Sequence, residues 1–255
     1  MNDKAEQLLR AARQLVDVDE LLGGQFIPAE RQPLPEMEMS APAAVAAPGD
    51  AMTPKQKAES LQSLAGEVVN CTECPLSNSR MHVVFGEGNP AAGLVFVGEA
   101  PGAEEDKTGH PFVGRAGELL TNMITAMGLS RDDVFICNVL KCRPPGNRTP
   151  NPQELQCCWR FLVRQLQIIR PKVIVTLGNP ATQGLLNTKT GITRLRGQWQ
   201  KLPDIGEGLG GIDVMPTFHP AYVLRQYTPD NRRKVWSDLQ AVMDKLGLQP
   251  PQKKG

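Results

Sequence analysis

Six cysteines in a chain of 255 residues are the first side chains that could do chemistry. Cys71 and Cys74 form a C-x2-C pair in "NCTECPL", a spacing that lets both sulfurs turn toward one metal. Cys142 lies beyond 67 intervening residues, in "KCRPP", and Cys158 beyond a further 15. Four thiolates drawn from a pair and two distant singles suit a 4Fe–4S cluster or a structural zinc, and spacing does not choose between them. Cys157 is an alternative to Cys158 as the fourth ligand, and Cys137 reads as a small core residue on a strand. A second stretch, "GEAPGAEEDKTGHPFVG" at residues 98–114, leaves an apolar run and turns rich in Gly, Pro and carboxylates around a lone Phe. Loops at the carboxyl ends of strands in α/β sheets are where ligands bind, so this stretch reads as a ligand loop.

The elements that must position these residues alternate along the chain. Strand-like runs occur at 93–100, 133–141, 172–178 and 212–220, with helical patterns at 54–70, 114–128, 152–170, 179–187 and 230–246. That order predicts an α/β three-layer sandwich around a central, mainly parallel four-stranded sheet. Three of the strands run into unusual loops: residues 98–114, "KCRPPGNRTPNP" and "HPAYVLR". The first 60 residues are acidic, with a net charge of −4, and the remainder carries +5. A mildly basic body is compatible with phosphate contacts. Leu8, Ala11, Leu15, Val18 and Leu22 recur at steps of three and four, which predicts an amphipathic helix over 4–22. It either packs on its own domain or docks a protein partner. The expected organisation is an N-terminal helical segment (1–22), a Pro/Ala-rich linker (23–54), a globular domain (55–247) and a short tail (248–255). No apolar run has the length of a membrane span, and "MNDKAEQLLR" lacks a signal-peptide core. A cytoplasmic, reducing setting is expected, where cysteines serve as ligands or core residues rather than disulfides.

"GEAPGAEED" with "PFVGRAG" close behind, "NVLKCRPPGNRTP", "CWRFL" and "HPA" occur in this order. Together with the cysteine spacing they resemble the family 4 uracil-DNA glycosylases, the thermostable bacterial and archaeal type with an iron–sulfur cluster. The likeness runs from about residue 61 to 247. It implies a 4Fe–4S cluster on Cys71, Cys74, Cys142 and Cys158, DNA containing uracil as the partner, and a monomer that releases uracil from DNA as the first step of base excision repair. It also implies a pocket for a flipped-out uracil, made by Gly98, Glu99, Ala100, Phe112, Asn138 and His219.

The residue types fit those roles. Gly98 and its neighbours allow close main-chain approach, with backbone N–H groups available to a ligand oxygen. Phe112 offers a flat face for stacking, and the Asn138 amide pairs an acceptor and a donor with uracil N3–H and O4. His219, at the end of the last strand, is a donor for the negative charge that develops on uracil O2. The attacking water is less well served. Where the best-known uracil-DNA glycosylases place an Asp, this chain has Ala100, which leaves Glu99, Glu105 and Asn147, with Glu99 the preferred choice. Glu105 alternatively stands beside uracil C5. Arg143, Arg148 and Arg225 are candidates for DNA phosphates, and Tyr222 or Leu224 for the wedge that fills the vacated stack. The alternative reading is a non-catalytic or tight-binding iron–sulfur module that binds uracil-DNA or serves a polymerase. "CRPPGNRTP" carries no nucleophilic His, which speaks against covalent capture.

Overall fold

A computed structural model describes residues 52–249. The expected N-terminal helix, nearly all of the linker and most of the tail lie outside the described residues. The domain is a six-stranded sheet flanked by helices on both faces. In chain order the elements are α1 (Pro54–Val69), β1 (Glu87–Gly88), β2 (Leu94–Gly98), α2 (Ala103–Thr108), α3 (Arg115–Ala126) and β3 (Phe135–Asn138). There follow α4 (Pro152–Ile169), β4 (Val173–Leu177), α5 (Asn179–Leu186), α6 (Ile192–Leu195), β5 (Gln200–Lys201), β6 (Asp213–Thr217), α7 (Pro220–Arg225) and α8 (Pro229–Leu246). The sheet order is β1-β3-β2-β4-β6-β5.

The four inner strands are parallel, as expected, and all but Asp213 at the start of β6 are buried. Burial on both faces is why "LVFVG" and "VIVTL" read as unbroken apolar runs rather than alternating ones. Alternation survives only in which core each residue enters. Leu94 and Phe96 meet α3 and α8 on one face, while Val95 and Val97 meet α1, α4 and α5 on the other. Local chemistry sets the helix starts. Thr53 with Gln56, and Asn151 with Glu154, form capping boxes ahead of Pro54 and Pro152, which need no N–H partner.

Three features depart from the expected layout. Two-residue strands, β1 and β5, add antiparallel edges to the four-stranded core. The loop at 98–114 contains a helix, α2, with three acidic residues in its first turn and Gly109 closing it at φ 78°. Those are start and stop signals, but six residues are too few to show a helical period. The "HPAYVLR" loop is the helix α7, capped by His219, and β6 ends two residues before that histidine.

The sheet end that carries His219 is tied to α8 by Asp238. Its carboxylate accepts from Thr217 Oγ1 (2.6 Å) and pairs with the Arg196 guanidinium, and it is 2% exposed. Asp238→Ala leaves a largely buried guanidinium and a hydroxyl without their partner. We expect a loss of about 3 kcal/mol, read as a fall in Tm of roughly 6–12 °C in thermal unfolding followed by circular dichroism.

Candidate active site

The carboxyl ends of the four parallel strands open into one cleft. Glu99 and Ala100 enter it after β2, Asn138 ends β3, Gly178 follows β4 and His219 follows β6. Phe112 closes one side, and Asn147, Arg148, Tyr222 and Arg225 also line it.

The floor depends on a missing side chain. A Cβ on Gly98 would stand 2.5 Å from Phe112 Cζ and would overlap Asn138 Oδ1. Gly98 stays in the sheet, opposite Asn138, and its carbonyl accepts from Val139 N–H (2.9 Å). Its contribution at the cleft floor includes the space it leaves for the Phe112 ring and the Asn138 amide.

Asn138 is 2% exposed, and its Oδ1 is the one buried side-chain polar atom without a hydrogen-bond partner among the described residues. Leaving a buried acceptor unmet costs about 1–3 kcal/mol. The main chain at that residue is clamped, since the Asn138 carbonyl accepts from Lys141 Nζ (2.7 Å), and Lys141 is itself fully buried.

Phe112 adopts a left-handed backbone, φ 53°, which a bulky residue seldom takes. The surroundings enforce it. Arg131 donates to the carbonyls of Pro111 (2.6 Å) and Phe112 (3.2 Å) while also binding Glu87 and Thr121. Gly117 of α3 leaves room for the Phe112 carbonyl. On the other side of the ring, Glu105 Oε1 accepts from Val113 N–H (3.0 Å) and Gly114 N–H (3.1 Å), and Oε2 accepts from Gly102 N–H (3.1 Å). Glu105, read from the sequence as a catalytic candidate, lines the cleft and uses three of its acceptor positions to hold the Phe112 loop. The Phe112 ring lies 5.7 Å from that of His219, tilted by 31°.

His219 Nδ1 accepts from Ala221 N–H at 3.1 Å. Burial, reinforced by Arg225, pushes its pKa down to about 4, so the ring is neutral at ordinary pH. A neutral imidazole that accepts at Nδ1 carries its proton on Nε2 and is a donor there. Glu99 lines the cleft half-buried, and burial raises its carboxyl above the usual range.

The residues expected to meet DNA separate into groups. Arg148 lines the cleft and forks onto the buried Glu154 (2.5 and 2.9 Å), which caps α4, so part of its guanidinium is engaged in the fold. Arg143 holds Asn147 through Nε (2.7 Å) at the exposed edge of the loop. Tyr222 and Arg225 stand at the cleft, whereas Leu224 is half-buried and does not line it.

Behind β3, a separate cavity is lined by Cys71, Cys74, Cys142, Cys157 and Cys158. The buried Cys142 and Cys158 pack with Leu64, Val68, Leu76 and Phe161. Arg80 Nη1 donates to Cys142 Sγ and Lys141 N–H to Cys158 Sγ, both at 3.3 Å. Cys157 is only half-buried, and its sulfur lies 3.5 Å from the Glu73 carbonyl. Burial raises the thiol pKa of Cys74 and Cys142, and that of Cys158 to about 11. Among the described residues no three His, Cys, Asp or Glu side chains close on a single-ion position. Cys137 is a core residue on the sheet, as expected.

Arg131, Lys141 and Arg80 went unnoticed in the sequence. Arg131 and Arg80 find their partners on other segments, so no local pattern announces them, whereas Lys141 sits within "NVLKCRPPGNRTP" and Gly117 within "PFVGRAG". The histidine geometry gives a direct check. Nitrogen NMR of labelled protein should show His219 protonated on Nε2 at neutral pH, with a midpoint near 4 rather than 6.5. Because the folded value is depressed, its contribution to stability is complete above about pH 6.5 and is lost as the pH falls toward 4. A midpoint near 6.5 would show that burial does not depress the ring, and a proton on Nδ1 would remove the Nε2 donor.

Residues 85–240 match the profile of the Uracil DNA glycosylase superfamily. The chain is 49% identical over 186 residues to the type-4 uracil-DNA glycosylase of Thermotoga maritima, covering 71% of this chain and 92% of that one. It is 44% identical over 197 residues to the type-4 enzyme of Archaeoglobus fulgidus, covering 76% and 96%, and 44% identical over 200 residues to that of Sulfurisphaera tokodaii, covering 75% and 87%. With strand ends that gather Glu99, Asn138 and His219 around one cleft, the chain belongs to the uracil-DNA glycosylase superfamily and, within it, to the type-4 uracil-DNA glycosylases.

Proposed function

We propose that the protein hydrolyses the N-glycosidic bond of deoxyuridine in DNA, releasing uracil and leaving an abasic site, and so begins base excision repair. The observation that carries this reading is the unpartnered Oδ1 of Asn138, buried in the cleft with Phe112 pressed against the same glycine. A base flipped into the cleft stacks on Phe112 and gives that oxygen the N3–H it lacks, while the amide N–H₂ meets O4. As the bond from C1′ to N1 breaks, its electron pair moves onto uracil and charge grows on O2. The Nε2–H of His219 donates to that oxygen. A neutral donor is well suited, because it stabilises the leaving anion without surrendering a proton, and a preorganised donor of this kind contributes roughly 3 kcal/mol. Water adds to the cationic sugar at C1′ and passes a proton to Glu99, whose raised pKa brings it nearer the operating pH for a base. Glu99 must be ionised to act, so activity on the acid side should fall at a higher pH than an ordinary glutamate would give. Ala100 supplies no group for the water. Glu105 positions the stacking loop, and Arg143 and Arg225 meet phosphates at the mouth, where Tyr222 fills the vacated stack.

The base-reading role of Asn138 has a sharp test. Asn138→Asp still accepts from N3–H but turns an acceptor toward O4. Single-turnover excision of uracil should fall roughly ten- to a hundred-fold, the cost of one unmet buried polar group. Lower pH should restore part of it as the Asp protonates, and cytosine, with a donor at that place, should lose less. Parental rates and unchanged selectivity would show that Asn138 does not read the base.

The same reading places a 4Fe–4S cluster on Cys71, Cys74, Cys142 and Cys158. The residues present fit it. Five cysteines line one cavity, the four named here among them, and two of these four receive N–H donors of the kind that support cluster thiolates. Burial that raises the thiols also means that a metal is needed to hold them as thiolates. When bound, the cluster ties the C-x2-C segment to β3 and α4 and serves the fold. The purified protein should be brown, with about four iron atoms per chain. Cys158→Ala should lose iron and soluble yield, while Cys157→Ala and Cys137→Ala should keep both. Iron retained by Cys158→Ala and lost by Cys157→Ala would exchange the two neighbours as ligand.

A further inference from the structure

The chain has two tyrosines, and both are exposed in the short stretch that follows His219. Tyr222 has a place in the reading above: it lines the cleft and leans on Phe218 with ring centroids 4.9 Å apart. Tyr227 has none, yet at 59% it is the more exposed of the pair and outside the cleft. Its ring is not adrift. The Arg232 guanidinium, on the first turns of α8, lies 4.8 Å from its centroid. A cation over a ring fixes the orientation of the aromatic plane and covers only one of its faces.

The charge around this ring is positive and uncompensated. Asp230, the nearby carboxylate on α8, is taken by Lys234 (2.6 Å) and Arg233 (3.9 Å). Neither Arg225 nor Arg232 forms an ion pair among the described residues. Arg225 lines the cleft, and Tyr227 is two residues further along the chain, at most roughly 7 Å away between Cα atoms. That is on the order of two base rises along a nucleic-acid strand.

We propose that Tyr227, backed by Arg232, is a second base-stacking platform, which takes an unpaired base neighbouring the nucleotide held in the cleft, with Arg225 on the phosphate between them. The occupant is single-stranded DNA. An aromatic face accepts any base, but only one released from pairing, and the adjacent cations suit a backbone that tracks past the ring. The proposal rests on the preceding reading only in taking DNA as the molecule that enters the cleft. It adds a strand preference that the cleft alone does not set: affinity for single strands should depend on this ring and affinity for duplex should not.

The test uses the full-length protein and its Tyr227→Ala, Tyr227→Phe and Arg232→Ala variants. Tyr227 is a surface side chain, so the fold does not depend on it. Single-stranded oligonucleotides carry 2′-fluoro-2′-deoxyuridine, which resists cleavage, and 2-aminopurine at one, two or three positions to either side. In the parent, stacking should quench the fluorophore at one of these positions. Tyr227→Ala should abolish that quenching and weaken single-strand binding by about ten-fold, within the range measured for one base–aromatic stack, and Tyr227→Phe should keep both. Arg232→Ala should reduce the quenching and flatten the salt dependence. Duplex DNA should bind all four proteins within about two-fold of each other, because its neighbouring bases stay paired. Single-strand binding unchanged in Tyr227→Ala, or an equal loss on duplex, would overturn the platform. Uracil-free single strands keep the two ideas apart. Binding to them through Tyr227 without any uracil excision would keep the platform and sink the glycosylase reading. Excision of uracil with no Tyr227-dependent binding would do the reverse.

Discussion

The fold converges on the close approach at Gly98. Gly98 and Asn138 are paired residues at the ends of adjacent parallel strands, and the Phe112 ring lies over both. Any larger side chain at Gly98 would push the ring away and displace the amide, so the stacking surface and the hydrogen-bonding edge exist together only because a hydrogen stands there. Register makes this possible. A slip of one residue would turn the Asn138 side chain into the opposite core, among Val97 and Cys137. Continuous burial of the inner strands on both faces is what forbids the slip.

The geometry at that point is held under strain, and the restraint comes from elsewhere in the chain. Phe112 sits in the left-handed region because Arg131 spends its N–H groups on the two carbonyls before and at the ring, on Glu87 and on Thr121. Glu105 grips the two amides after it. A conformation costing of order 1–3 kcal/mol persists only when its surroundings over-determine it. The consequence is a backbone fixed on both sides of the ring, through the carbonyls of Pro111 and Phe112 and the amides of Val113 and Gly114. Burial divides the neighbouring groups in the same spirit: it makes His219 a neutral donor and Glu99 a readier base, so one desolvated cleft yields two groups with complementary proton affinities.

What could be read in the sequence follows from range. The four inner strands, the long helices and the Cys71–Cys74 pair are written in local patterns: apolar runs, a 3.6-residue period and C-x2-C. The six-residue helices α2 and α7 carry caps but too few turns for a period, and the two-residue edge strands carry no signal at all. The candidate pocket residues were legible because each belongs to a quoted motif. What each one does was less so. Glu105 looked like an acid–base group, and Arg148 looked like a phosphate ligand. Their partners, the amides at 113 and 114 and the buried Glu154, make them braces, and a brace is a property of two segments that only folding brings together.

The cysteine cavity and the cleft are not independent sites, because one short segment builds both. Asn138 ends β3 and Cys142 lies four residues later, with Lys141 between them. Lys141 donates its backbone N–H to Cys158 Sγ, while its buried ammonium reaches back to the Asn138 carbonyl and to Gln165 Oε1 (2.6 Å). Gln165 in turn donates to the Phe85 carbonyl, so α4, β3 and the chain before β1 meet at this one ammonium. A lysine 0% exposed to solvent has a high cost of burial, which pulls its pKa below the usual range, and no carboxylate pairs with it among the described residues; the titratable groups nearest it are the Cys137, Cys158 and Cys142 thiols. One residue, Lys141, touches a cysteine sulfur through its backbone N–H and the Asn138 carbonyl through Nζ. The back of the sheet, where the cysteines gather, and the cleft at its carboxyl edge are therefore joined through a single buried side chain, and Gln165 of α4 closes that link from the other side.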